Sequence, residues 1–154
     1  MEQRTGRATA RLVLCTQVFL VIRTRGIVVN TGAPSFLIVD DNEPLRNIIV
    51  RVIRKASPQA VIREAACVRD ALVLLREHAC NALVVDYRLP DGDGADVIRW
   101  VRARSMSLPI IAISGLNVDR EMEAIGADYV LNKPFHIDRL LTIVRTILEE
   151  TPTV

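Results

Sequence analysis

The feature that most constrains this chain is a short apolar run that stops abruptly at a polar group, and then recurs. Phe36-Leu37-Ile38-Val39 runs into Asp40-Asp41, Ala82-Leu83-Val84-Val85 ends at Asp86, and Ile110-Ile111-Ala112-Ile113 ends at Ser114-Gly115. Unbroken runs of this length, with no polar alternation, predict strands buried on both faces, which is how the strands of a parallel sheet read. Between them the period changes. After Asn42-Glu43-Pro44, which offers a cap and a proline for the first turn, Leu45, Ile48, Ile49, Val52 and Ile53 recur at helical spacing up to Ser57-Pro58. Val61-Ile62 begins another strand, and Ala71, Leu72, Leu74 and Leu75 mark a helix ending near His78. Val97, Ile98 and Val101 mark a third helix after the loop Arg88–Gly94. A short helix over about Arg120 to Ile125, a brief strand Tyr129-Val130-Leu131 and a closing helix from Ile137 to Leu148 complete the series.

Five alternations of strand and helix with short connections predict an α/β fold, a doubly wound parallel sheet with helices on both faces and right-handed crossovers. In such a sheet, ligands bind outside the carboxyl ends of the strands, at the switch in strand order. The residues ending each strand therefore carry the functional information: Asp40, Asp41, Asp86, Ser114 and, after the fifth strand, Lys133. Singly, each has a plain reading as a helix cap, a turn residue or a solvated lysine. Jointly they converge on one crevice. Three carboxylates there repel one another unless cations compensate. Oxygen-only donors suit Mg²⁺, which typically takes one or two carboxylates plus a phosphate. Lys133 adds a second positive charge and Ser114 a hydroxyl donor. Such a set can hold a phosphoryl group on one aspartate, a known nucleophile for aspartyl phosphates, whose transfer depends mainly on positioning and charge neutralisation.

Composition narrows the alternatives. The 154 residues suffice for one domain, and with half of them apolar the chain is neither disordered nor a disulfide miniprotein. A net charge of +2 gives no bulk argument for nucleic acid or membrane. Cys15, Cys67 and Cys80 show no metal-ligand spacing and read as small buried apolar residues in a reducing compartment. The charge is uneven: residues 1–34 hold five Arg against Glu2 alone. In that leader, Leu12–Ile22 is an apolar run of eleven, short of the roughly 18–20 residues that span a bilayer. With Arg4, Arg7 and Arg11 before it, the run has the length of a signal-peptide core. No small-x-small cleavage site follows, and the basic Arg23-Thr24-Arg25-Gly26 opposes export, which favours over a signal peptide either a start codon assigned too far upstream or an added helix or strand lying against the body. Residues 26–34 read as a linker. The expected organisation is an N-terminal extension over 1–34, one domain over 35–150 and a tail over 151–154.

Phe36–Asn42, then Asp86-Tyr87-Arg88-Leu89-Pro90-Asp91-Gly92-Asp93-Gly94, then Ser114-Gly115, then Gly126-Ala127-Asp128 with Lys133-Pro134-Phe135, together resemble the receiver domain of bacterial response regulators. The resemblance runs from about Ser35 to Glu150 and implies a flavodoxin-like strand order, 2-1-3-4-5. It implies that Asp86 is the phosphoacceptor and also a Mg²⁺ ligand, that Asp41 is the main acidic ligand to that ion with Asp40 beside it, and that the Arg88 carbonyl is a backbone ligand to the same ion. By the same resemblance Ser114 is the hydroxyl that grips the phosphoryl group and Lys133 the cation that pairs with it. The implied partners are a sensor histidine kinase or a histidine phosphotransfer protein, and a downstream protein target, with no direct nucleic-acid contact and a cytoplasmic location. The chain ends just after the last helix, so a stand-alone receiver is expected.

Two positions depart from the family pattern. An aromatic residue usually stands three residues before the lysine as a rotameric switch; here that position is Val130, with Tyr129 one step earlier. A one-residue offset on a strand points a side chain to the opposite face. The segment from Ser114 to Gly126 is also about three residues shorter than is common, which predicts a truncated fourth helix. Two rival readings follow: a phosphorylation-independent interaction domain of the same fold, and a Mg²⁺-dependent aspartyl-nucleophile phosphatase. The second calls for an acid two residues after the nucleophile, where Arg88 stands. Asp91, Asp93 and Asp96 read as turn and helix-start acids and not as a calcium loop. Arg99, Arg102 and Arg104 read as a solvated helix face, and Trp100 as packing.

Overall fold

The computed structural model describes residues 19–22, 27–30, 32–115 and 118–150. They belong to two compact units, one holding a short hairpin and the other running from Ala33 through the closing helix. In the first, β1 (Phe19–Ile22) pairs antiparallel with β2 (Ile27–Asn30), Phe19 facing Asn30 and Ile22 facing Ile27. The linker expected over 26–34 is thus corrected: Ile27-Val28-Val29 is a β-branched run, and β-branched side chains favour a strand. Arg4, Arg7, Arg11 and Cys15 lie outside the described residues.

The second unit contains β3 (Ser35–Val39), α1 (Glu43–Ala56), β4 (Val61–Ala65), α2 (Val68–Glu77), β5 (Ala82–Asp86), the two-residue strands β6 (Arg88–Leu89) and β7 (Gly92–Asp93), α3 (Gly94–Ala103), β8 (Ile110–Ser114), α4 (Asp119–Ala124), β9 (Tyr129–Asn132) and α5 (Ile137–Glu150). Five strands form one parallel sheet in the order β4-β3-β5-β8-β9, which is the expected 2-1-3-4-5 when these five are counted alone. The order reverses at β3, so the crevice opens where β3 and β5 end. β6 and β7 pair antiparallel within what reads as a loop in the sequence, Arg88 facing Asp93.

Every residue of β3, β5 and β8 is buried, as their unbroken apolar runs require. Alternate side chains feed two layers. Phe36 and Ile38 pack with Ile49, Ile53, Leu140 and Val144 of α1 and α5. Leu37 and Val39 pack on the other face with Leu75, Val97, Ile98 and Met122 of α2, α3 and α4. Tyr129 joins the α1–α5 layer and Val130 the opposite one, so the tyrosine does not occupy the face of the missing aromatic. α4 has six residues against ten to fourteen in the other helices. Among the described residues no helix is long and apolar enough to cross a membrane.

Several surface readings need correction. Arg102 is not a solvated side chain. Its guanidinium donates to the carbonyls of Gly126, Met106 and Leu108 and to Asp128 Oδ2, all at 2.7–2.9 Å, tying the end of α3 to the segment before β9. Arg104 lies over the Trp100 ring, its guanidinium carbon 3.8 Å from the centroid, a cation–π stack. Asp91 is more than a turn acid, since it caps α2 from a distance. Cys67, the residue before α2, makes no side-chain cap bond, and the Asp91 carboxylate accepts from the Val68 and Arg69 N–H groups at 2.7 and 2.9 Å. Cys67 and Cys80 are free thiols and only half-buried, because both sit in connections at the sheet's margin and not within its strands.

Candidate functional site

The site is built by strand ends. β3 delivers Asp40 and Asp41 to the rim, and β5, its neighbour, delivers Asp86 as its last residue. Asp40 and Asp86 are buried, whereas Asp41 is exposed. One carboxylate oxygen from each of the three lies within 4.8 Å of the others, close enough to share a single ion. β9 and the turn after it bring in Lys133, whose Nζ lies 2.8 Å from Asp86 Oδ1 and 3.5 Å from Asp40 Oδ2. The Lys133 N–H donates to the Ser114 carbonyl at 2.7 Å, so the lysine's backbone is anchored to the strand end that carries the serine. Ser114 is buried at the tip of β8, the strand next to β5, where Asp86 faces Ile113. Asp86, Tyr87, Arg88, Gly115 and Lys133 line an open cleft of about 310 Å³.

Local geometry explains why these residues occupy these places. Asp40 N–H donates to the Ala65 carbonyl of β4 at 3.1 Å, and Asp40 Oδ1 accepts from the Asn42 N–H at 2.8 Å. Asn42 in turn caps α1, its Oδ1 accepting from the Leu45 N–H at 3.0 Å. The segment Asp40–Asn42 is therefore a rigid turn between strand and helix. Burial pushes the Asp40 carboxyl above the usual carboxylate range; the Asn42 N–H and the Lys133 charge pull it back, and the Asp86 and Asp41 charges add to the rise. Asp40 Oδ2 is buried and makes no hydrogen bond. An orphaned anionic oxygen costs free energy unless a cation meets it, and at 3.5 Å the Lys133 ammonium meets it only partly. The orphaned oxygen, the oxygen-only donor set and the crowding of three carboxylates all fit a hard divalent cation such as Mg²⁺.

All the residues marked by the sequence pattern thus come to one end of the sheet: Asp40, Asp41 and Asp86 clustered within 4.8 Å, Lys133 paired with Asp40 and Asp86, Ser114 on the adjoining strand end, and Arg88 on the cleft wall. Two further residues shape the site. A Cβ on Gly94 would overlap the carbonyl oxygen of Asp86, and the Gly94 N–H donates to the Tyr87 carbonyl at 2.7 Å. The glycine lets α3 start against the strand end that presents Asp86; the paired glycines of Gly92-Asp93-Gly94 are the signal for such an approach. Arg46 is the other, donating from Nη1 to the Asp40 carbonyl at 2.6 Å. A cation in the first turn of a helix is disfavoured by the helix dipole, and that oddity is the sequence signal for a separate task.

Known proteins share this architecture. A family model described as the response regulator receiver domain matches residues 36–145. The transcriptional regulatory protein PhoP of Escherichia coli K12 is 33% identical over 115 residues, covering 73% of this chain and 51% of PhoP, and a Salmonella typhimurium PhoP is 32% identical over the same length. The chain therefore spans about half the length of the curated relatives it matches. Among solved structures, a putative response regulator from Chloroflexus aurantiacus superposes with a TM-score of 0.68 at 29% identity, covering 77% of this chain and 99% of that one. A Francisella response regulator receiver domain does so at 0.69 and 25% identity, with the same coverage. With sheet order, strand-end carboxylates and family model in agreement, the chain belongs to the response regulator receiver domain family.

Proposed function

We propose that this chain is a phosphorylation-dependent switch in which Asp86 accepts a phosphoryl group. The observation that carries the reading is the buried Asp86 carboxylate, held 2.8 Å from Lys133 and sharing an ion-sized space with Asp40 and Asp41. In the step envisaged, an Asp86 carboxylate oxygen attacks the phosphorus of a phosphohistidine on a kinase or phosphotransfer protein. The O–P bond forms as the bond to the donor breaks, and its electron pair stays with the donor nitrogen. Asp40, Asp41, Asp86 and the carbonyl of Arg88 would hold Mg²⁺, which when bound neutralises charge on the transferring phosphoryl oxygens. Lys133 pairs with another of those oxygens, and the Ser114 hydroxyl donates a hydrogen bond to the product. Residues 35–150 form the receiver in this reading, with 1–34 as an extension and 151–154 as a tail.

The acyl phosphate carries roughly −1.5 to −2 where the Asp86 carboxylate carried one negative charge, and it moves that charge outward onto three acceptor oxygens, which biases the adjoining loop between two arrangements. Its output is the binding of a downstream protein, whether the receiver works alone or joined to a further module. A phosphorylation-independent role is the second reading. Val130 and the six-residue α4 favour it, since both lie where the family usually conveys the switch. Beryllofluoride with Mg²⁺, which mimics a phosphoryl group on an aspartate, separates the two. Under the switch reading it raises the melting temperature and changes the amide spectrum around Ser114 and α4 in wild type but not in Asp86→Asn. Binding with no spectral change beyond the pocket would favour the phosphorylation-independent role.

A further inference from the structure

We infer that Arg46 is a positioning residue for the cation site, fixing the turn from which Asp40 and Asp41 reach the ion; this rests on the reading of the three carboxylates as a Mg²⁺ site. Arg46 touches none of the three carboxylates that would hold the ion. Its guanidinium forks: Nη1 donates to the Asp40 carbonyl oxygen at 2.6 Å, and Nε donates to Glu64 Oε2 at 3.2 Å. The side chain is 15% exposed, so it is packed along its length and not waving in solvent.

The effect follows from an inventory of Asp40. Its N–H is held by the Ala65 carbonyl, its carbonyl by Arg46, and its Oδ1 by the Asn42 N–H. Only Oδ2 is left without a hydrogen bond, and it belongs to the carboxylate that joins the cluster with Asp41 and Asp86. The peptide that links Asp40 to Asp41 contains the carbonyl gripped by Arg46. The same contact therefore sets the plane from which the exposed Asp41 side chain departs. Glu64, on the edge strand β4 in register with Ile38, anchors the other prong of the fork. A lysine in this place has one point of charge and cannot hold a carbonyl and a carboxylate in fixed directions at once.

Positioning and plain electrostatics make opposite forecasts. If Arg46 acts only through its charge, removing it lessens repulsion of an incoming cation and Mg²⁺ binds more tightly. If it positions the ligands, Mg²⁺ binds more weakly, as outer partners of metal ligands typically contribute 10–100-fold in affinity. The experiment is a titration of the full chain with MgCl₂, read as the rise in melting temperature and by calorimetry, on wild type, Arg46→Lys and Arg46→Gln. Each variant is also melted in EDTA. We expect Kd for Mg²⁺ to rise about tenfold or more in both variants, with a smaller change in the metal-free melting temperature. Unchanged or tighter Mg²⁺ binding in Arg46→Gln, or affinity restored fully by Arg46→Lys, overturns the proposal. So does loss of cooperative unfolding in both variants, which would make Arg46 a residue of the fold alone. Failure of wild type itself to bind Mg²⁺ would instead overturn the reading of the cation site.

Discussion

Lys133 Nζ bridges two buried carboxylates, 2.8 Å from Asp86 Oδ1 and 3.5 Å from Asp40 Oδ2, so a single ammonium offsets part of their mutual repulsion. Its own N–H is tied to the Ser114 carbonyl of the neighbouring strand. Replacing it by methionine keeps the stem and removes the charge. Lys133→Met is expected to bind Mg²⁺ at least as well as wild type, and to lose on the order of 10²-fold in the rate of phosphorylation, the scale seen when one electrostatic partner of a developing charge is deleted. Stopped reactions with a small phosphodonor, read by intact mass, check both the rate and its Mg²⁺ dependence.

Asp40 carries a cost in the absence of a cation. Its carboxyl is raised above the ordinary value chiefly by burial. An acid raised in the folded state destabilises the fold once ionised: the cost is absent below the unfolded value near ~3.9 and complete above the raised folded one. Asp40→Asn is therefore expected to melt higher than wild type in EDTA at neutral pH, by about 2–4 °C for each kcal/mol relieved. The gap should close as the pH is lowered towards 4, and Mg²⁺ should no longer stabilise the variant. Thermal melts at a series of pH values, with EDTA and with Mg²⁺, measure all three.

Asp91 has the opposite sign. The N–H groups of Arg69 and Val68 hold its carboxyl below the ordinary range, so it contributes stability that is fully present above the unfolded value and is lost as the pH falls through the lower folded one. Asp91→Ala is expected to melt below wild type at pH 7, with the difference holding steady down to about 4 and vanishing in stronger acid. Amide exchange in the first turn of α2 should speed up in the variant, because two N–H groups lose their acceptor.

Gly94 has no room for a side chain. The overlap of any Cβ with the Asp86 carbonyl forces α3 away from β5. Gly94→Ala is expected to cost about 1–3 kcal/mol or more in urea unfolding, the range for overpacking a close contact. Because the strain falls on the residue that presents the acceptor carboxylate, Mg²⁺ affinity should drop with it, unlike in a substitution of equal cost elsewhere in the core.

The strand ends were legible because parallel strands buried on both faces write themselves as unbroken apolar runs, and whatever follows such a run must lie on the sheet's rim. That logic located Asp40, Asp41, Asp86, Ser114 and Lys133 from chain order alone. Contacts made by long polar side chains across the fold follow no such period. Arg102 sits on α3 three residues after the exposed Arg99, and only the approach of Gly126 and Leu108 turns it into a clamp. Asp91 caps a helix that begins 23 residues earlier, so no local capping rule could assign it. The strand Ile27–Asn30 was hidden by the Gly and Pro that flank it, which read as linker punctuation. The offset of Tyr129 was legible, because face alternation on a strand has a strict period of two, and the tyrosine indeed packs in the α1–α5 layer.

The central claim is that Asp86 takes a phosphoryl group with the help of the cation held beside it. The direct measurement is intact mass after incubation with acetyl phosphate, with and without Mg²⁺, on wild type and Asp86→Asn. A single adduct of about 80 Da that requires Mg²⁺ and is absent from Asp86→Asn is the expected result. An adduct that persists in Asp86→Asn, or one that forms equally well in EDTA, would contradict the account.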